Sequence, residues 1–379
     1  MNNTLNKISG IKSIDFTIRA TGEGIVNHNG SAAVWNPAAE KTVKNHLFPK
    51  LRGLDPMRKS VVNHSGEEKV RGLSLADPEL ANAALIVSEN CLRSHIFKSA
   101  SFGVAEVTRD TVGDALASLH GLMRGYLVTS NGGNFARKSP LFMADLECSN
   151  PGLRYNQASK AGGRTETSIF SFFATDKDLQ YVGHGSINIE DLQFIPLEDT
   201  HGRSAFSEVV SEAVGVELAG HVTQYLQDIS GNPEAKAEFV REAVRKGTFS
   251  KVGEAGLLLN DAALDVVVQN TLELIESLYI RQSKGYVRVT DLQVDYNDGK
   301  VFRILDGDTS VCVGHKHTNY AQYYTVTPMD SVSFAEKMKA IETANKEKQK
   351  KSKKDKAAPK ATVAADSAST EDIGADAQA

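Results

Sequence analysis

The chain has 379 residues, 41 % of them hydrophobic, with 43 Lys+Arg against 47 Asp+Glu and a net charge of −4. That length holds two or three domains with a real core. No apolar run approaches the roughly 20 residues of a membrane helix, and the first residues, Met1 to Lys7, lack the basic-then-apolar design of a secretion signal. Three scattered cysteines (Cys91, Cys148, Cys312) without a CxxC pair argue against a zinc or disulfide framework and for a reducing cytoplasm.

In chain order the pattern is mixed α and β with long insertions. Ile11 to Arg19 alternates apolar with polar over its second half, as a half-buried strand does. Thr21 to Gly30, rich in Gly and Asn, reads as a strand exit with a loop. Residues 54–80 are polar and turn-prone and read as a protruding insertion. Ser88 to Phe97 keeps helical spacing through Leu92, Ile96 and Phe97 behind a serine cap. Val112 to Met123 repeats that spacing, and Gly125 then turns the chain into a strand at Tyr126 to Val128.

The middle reads as a hairpin, Thr167 to Ala174 returning as Tyr181 to Phe194 across a turn at Asp176-Lys177-Asp178. Two amphipathic helices are expected next, Val214 to Ile229 and Pro233 to Val244, the second with Asn232 as cap and proline in its first turn. Gly256 to Asn260 has the look of a short buried strand, and Asn260 or Asp261 starts a helix to about Leu278. A last hairpin is expected over Gly285 to Ile304, turning at Asn297-Asp298-Gly299. From Glu336 the chain is Lys, Ala and acid without aromatics, so residues 336–379 are expected to be a disordered tail beyond a folded 1–335. No period of 20 to 50 residues recurs, which rejects a solenoid.

Short pieces pairing Arg or Lys with Gly, Ser or an aromatic recur at element ends. They hold Lys50 and Arg52 before Gly53, Arg93 before Ser94, Arg124 before Gly125, and Arg137 with Lys138 before Ser139. Arg164 follows Gly162-Gly163, and Arg281, Lys284 and Tyr286 surround Gly285. They are too dispersed for one small-molecule pocket and suit a surface that follows a single-stranded polyanion: cations for phosphates, glycines where backbone approaches ligand, flat side chains for bases. Charge cuts the other way. The segment from Lys337 holds ten lysines and seven acids, leaving the body with 33 basic and 40 acidic residues. The cations must therefore be gathered on one face.

Each of these groups also has a purely structural role open to it. Arg124 can neutralise a helix C-terminus, and Arg93 and His95, two apart on a helix, point to different faces. Phe170, Phe172 and Phe173 cover both faces of a strand, so at least one belongs to the core. Catalytic patterns are sparse. His184, His315 and His317 lack a third metal ligand at the right spacing, Asp295 and Asp298 read as turn formers, and neither a phosphate-binding glycine loop nor a Gly-x-Ser-x-Gly elbow exists.

The run from Gly10 to Gly30 resembles the opening strand and glycine-rich exit of CRISPR backbone subunits, the Cas-seven family, in its variant type I-F branch. Leu47 to Gly53, Asn90 to Phe97, Gly121 to Val128, Gly256 to Asp261, Ile280 to Tyr286, Val294 to Asp298 and Ala321 to Tyr324 resemble it in the same order. Type IV backbone subunits are near relatives, and the Lys-rich tail lies outside the pattern. The resemblance implies an RRM-like, ferredoxin-type α/β (α+β) palm with finger and thumb insertions at about 54–80 and within 130–250. It implies a non-catalytic protein, with neither cofactor nor metal, that polymerises head to tail along a guide RNA (crRNA). That complex pairs the guide with target DNA alongside other effector subunits, in the cytoplasm and away from membranes. The RNA-contacting residues would be Lys50, Arg52, Arg93, Arg124, Arg137, Lys138, Arg164, Arg281, Lys284 and Tyr286. Related type III backbone subunits cut RNA with a loop aspartate. A metal-dependent ribonuclease using Asp55 or Asp145 therefore stays open, as does a self-assembling structural protein.

Overall fold

The computed structural model describes residues 8–28, 32–36, 41–45, 49–52, 60–62, 68–70, 83–98, 107–108, 110–130, 133–159, 169–198, 204–206, 210–248, 253–299, 302–305 and 319–326. The chain divides after Pro328 into two units, and every described residue belongs to the first. The expected tail, most of the 54–80 insertion, Arg164, His315 and His317 lie outside the described residues.

Nineteen strands are described, β1 (Ser13–Gly24), β2 (Ala32–Asn36), β3 (Lys41–Asn45), β4 (Ser60–Val62), β5 (Glu68–Val70), β6 (Leu85–Val87), β7 (Tyr126–Ser130), β8 (Gly133–Arg137), β9 (Leu141–Met143), β10 (Leu146–Cys148), β11 (Arg154–Ser159), β12 (Ile169–Ala174), β13 (Leu179–Asn188), β14 (Phe194–Pro196), β15 (Ala237–Arg245), β16 (Glu254–Leu259), β17 (Tyr279–Gln282), β18 (Gly285–Asn297) and β19 (Tyr324–Val326). The helices are α1 (Glu89–Ile96), α2 (Val112–Leu116), α3 (Ile189–Gln193), α4 (Glu212–Ser230) and α5 (Asp261–Glu276), with a π-turn at His120–Arg124. The architecture is mixed α/β, built on antiparallel sheets.

The main sheet runs β17-β18-β1-β13-β10-β6, with β9 also on β13. Its central strand β1 runs past the Arg19 end that the alternating sequence suggested, paired with β13 as far as Gly22 and with β18 as far as Gly24. Ile14, Phe16, Ile18 and Ala20 point into the core, each 1 % exposed or less. On the opposite face Asp15 is also fully buried, facing Ser186 of β13 and Asp295 of β18. Its carboxylate accepts from Ser186 Oγ at 2.6 Å, Asn297 Nδ2 at 2.9 Å and the Phe302 N–H at 2.8 Å. Asp295, equally buried, takes a two-pronged ion pair from Arg303 at 2.6 and 2.7 Å. Buried carboxylates need such partners to offset lost hydration. Asp295 and Asp298 thus both serve Arg303, while the turn itself is formed by Asn297, whose Oδ1 accepts from the Gly299 N–H.

A second sheet, β14-β16-β15-β19, carries a small cluster of Phe194, Val240 and Ala243. The principal core joins β1 to Leu92 and Ile96 of α1, Leu218, Val222 and Leu226 of α4, and Leu264, Val267 and Ile275 of α5. Asn260 caps α5, its side chain accepting from the Ala263 N–H at 2.9 Å, and Ser211 does the same for α4.

Four expected elements come out differently. Pro233 to Val244 is not a helix: Asn232 accepts from the Glu234 N–H in a tight turn, and β15 pairs with β16 from Ala237 on. The middle hairpin does not exist as such, because β12 pairs with β11 and β13 lies between β1 and β10. Val112 to Met123 breaks after α2. Ser118 Oγ donates to the Ala115 carbonyl at 2.6 Å and accepts from the Gly121 N–H. Gly121 lies so close that a Cβ would fall 1.8 Å from the Ala115 oxygen. Finally, Gly285 to Asn297 is one strand with a bulge opposite Arg19/Ala20, and its hairpin partner is β17, turning at Ser283–Lys284.

Candidate nucleic-acid interface

The β17–β18 hairpin at the edge of the main sheet carries the densest exposed combination of cations and aromatic rings that the sequence singled out. Each strand contains a Tyr-apolar-Arg triplet, Tyr279-Ile280-Arg281 and Tyr286-Val287-Arg288. Strand period two sends Ile280 and Val287 inward, at 0 % and 1 % exposure. The four flanking side chains therefore share the outward face. Antiparallel register sets Tyr279 opposite Arg288 and Arg281 opposite Tyr286, so a tyrosine diagonal crosses an arginine diagonal. The two rings lie 6.3 Å apart, inclined at 48°, and Tyr279 is 55 % exposed. On the next strand Thr21 faces Arg288 and Glu23 faces Tyr286.

The exit of β1 passes the turn of this hairpin and then runs beside Lys50. Gly24 has a φ of +73°, and a Cβ there would lie 2.0 Å from the Lys284 carbonyl oxygen. Only glycine allows the strand to leave so close to the β17–β18 turn. Ile25 N–H then donates to Lys284 O at 3.3 Å, and Lys50 N–H donates to Asn27 O at 3.1 Å. Lys284 and Lys50 thus flank residues 24–28. Beside the outer edge of β17 runs an open cleft of about 730 Å³, lined by His95, Lys98, Ser277, Tyr279, Arg281 and Gln282 among others. From the 91–95 segment, it is His95 rather than Arg93 that reaches this cleft.

The remaining sequence candidates are placed elsewhere. Arg52 is half-exposed and paired with Asp145 at 3.1 Å and Glu147 at 3.0 Å. It lies in a second cleft, about 690 Å³, beside His184 and Val182. His184 there packs edge-on against Phe302, with Phe142 nearby. Arg93 turns inward, donating to Ser139 Oγ at 2.9 Å and the Leu141 carbonyl at 2.5 Å, with Glu89 at 3.6 Å. Burial lowers its pKa, and Glu89 opposes that. Arg124 ends the π-turn, half-buried, its pKa lowered by burial and by the charge of Arg93. Arg137 belongs to a strand. It ends β8, 4 % exposed, and donates to the Asp191 carbonyl at 2.8 Å and the Leu122 carbonyl at 3.3 Å. Burial brings its pKa down to about 10, so it stays cationic. Lys138 is exposed and pairs with Asp191 at 2.7 Å. Phe173 is core, at 6 % exposure.

Arg281, Lys284 and Tyr286 therefore lie together on the β17–β18 hairpin and Lys50 lies between the β1 exit and β6, its carbonyl accepting from the Ile86 N–H at 3.0 Å, whereas Arg137 and Lys138 secure α3 and Arg93 joins α1 to the β8–β9 connection. Sequence reasoning missed Tyr279, Arg288 and Lys98. The signal that finds the first two is the repeated Tyr-apolar-Arg triplet, which antiparallel pairing folds into a two-by-two patch. Among the described residues no group of three His, Cys, Asp or Glu side chains is placed to hold a metal ion, and no helix is long and apolar enough to cross a membrane.

The class so defined is a mixed α/β protein whose antiparallel main sheet presents an outward patch of cations and aromatic rings. Residues 10–327 match the family model described as "Type I-Fv CRISPR-associated protein Cas7fv-like", and the chain belongs to that family. No curated protein matches. Among solved structures, a chain of a "CRISPR RNA-guided surveillance complex, pre-nicking" is similar at 9 % identity over 60 % of this chain and 76 % of that one, with a TM-score of 0.25. A chain of a "CRISPR RNA-guided surveillance complex" is similar at 11 % identity over 60 % and 69 %, with a TM-score of 0.23.

Proposed function

We propose that this protein is a non-catalytic backbone subunit of a type I CRISPR surveillance complex. It binds the guide RNA and stacks head to tail along it, with an RRM-like palm and inserted finger and thumb elements. The observation that carries this reading is the family match, which spans residues 10–327 and so covers the whole described fold. The hairpin end of the sheet supports it in physical terms. Cations there can hold phosphates while base pairing within the guide reads sequence, and head-to-tail contacts that do not close into a ring generate an open filament. Arg281, Lys284 and Tyr286 are the central RNA-binding residues, and Lys50, Arg52, Arg124, Lys138 and Arg164 extend the path. Arg93 and Arg137, held by Ser139 and by main-chain carbonyls, orient the elements from which the others project. Partners are the guide, target DNA through the guide, further copies of the chain and other effector subunits, in the cytoplasm.

The recombinant protein is expected to copurify with RNA, giving a high ratio of 260 to 280 nm absorbance, and to form a ladder of oligomers that nuclease treatment shortens. The double variant R281A/K284A should weaken binding and lower the slope of log affinity against log salt by roughly 0.7 for each phosphate no longer held. Nuclease-resistant oligomers free of RNA would overturn the reading. So would magnesium-dependent cleavage of bound RNA, which would make the protein a nuclease.

A further inference from the structure

We infer that the crossed Tyr279/Tyr286 and Arg281/Arg288 patch is a stacking seat for an unpaired base of single-stranded RNA, a role distinct from phosphate holding elsewhere on the surface. The inference rests on the RNA-binding reading above and assigns that site's chemistry. Three features point to a base. First, the rings are on the outward face of a rigid hairpin whose inward residues, Ile280 and Val287, are locked in the core. The strand positions of both rings are therefore fixed before a base arrives, which lowers the ordering cost of binding. Second, at 6.3 Å and 48° the rings do not stack on each other. A base can lie flat on one and meet the edge of the other, an arrangement aromatic groups favour.

Third, the cations lie on the opposite diagonal, Arg281 beside Tyr286 and Arg288 beside Tyr279. A nucleotide seated on a ring thus has an arginine at the facing register position to take its phosphate. Glu23, facing Tyr286 from β1, is the acid nearest in register. It would repel a phosphate on its side and accept a hydrogen bond from a base amino group, which orients the nucleotide with its phosphate toward the arginines. A duplex hides its base faces, so the patch discriminates single strands from double ones.

The test uses full-length protein stripped of RNA and a labelled single-stranded oligonucleotide, with and without an abasic site, titrated across salt. Y279A and Y286A should each weaken binding of the intact strand about tenfold with the salt slope unchanged, while Y279F and Y286F bind as the wild type. The loss should shrink on the abasic strand and vanish on duplex RNA. Equal binding by the alanine variants and the wild type would overturn the seat while leaving the guide-binding reading standing. Alanine variants that bind RNA normally but no longer associate with one another would reassign the patch to protein docking. Failure of the wild type itself to bind any RNA would remove the broader reading, and the seat with it.

Discussion

His120 opens the π-turn with its ring 1 % exposed, tilted against Phe97 at 6.2 Å, and neither ring nitrogen meets a partner among the described residues. Burial, reinforced by the charge of Arg124, lowers its pKa to about 4. The unfolded chain takes up the proton near 6.5 and the folded one resists it. Between pH 6.5 and 4 the unfolded state therefore binds more protons, and folding stability falls as pH falls through that window. The loss amounts to about 3 kcal/mol once pH 4 is reached. Denaturant titrations at stepped pH should show it, and His120→Leu should flatten the curve. Equal slopes in variant and wild type would mean that this imidazole is hydrated.

Some elements could be read from local signals and others could not. The helix α5 was legible because Asn260 supplies a cap and the apolar residues keep one face. Asn232 followed by Pro233 gives the same start signal, yet its side chain closes only a turn, and pairing with β16 takes over from Ala237. Caps and Asx-turns share their chemistry, so only the distant partner decides. The candidate site was half legible for a similar reason. Arg281, Lys284 and Tyr286 stand out around a glycine, whereas the roles of Tyr279 and Arg288 depend on a register that no local signal sets. Gly24 is where this hairpin meets β1. Gly24→Ala forces a left-handed φ and a clash with the Lys284 carbonyl. It should cost about 1–2 kcal/mol or more, seen as a lower melting temperature, and should weaken RNA binding by displacing the Lys284 turn. Unchanged binding would separate that turn from the interface.

On the scale of the molecule, the family match ends at residue 327 and the lysine-rich segment lies beyond it. A chain ending at Glu336 should melt at the same temperature and bind RNA with the same salt slope as the full chain. A shallower slope in the shortened chain would show that those lysines grip phosphate. Among the described residues, Asp15 ties β1 to β13, to β18 and to the Phe302 turn at once. Sliding β18 past β1 by a single residue would drive Asp295 and Asn297 into hydrocarbon and strand Arg303. The anchor therefore works as a lock on strand register: a shifted pairing of β18 on β1 is penalised by its own buried charges before the rest of the chain packs around it.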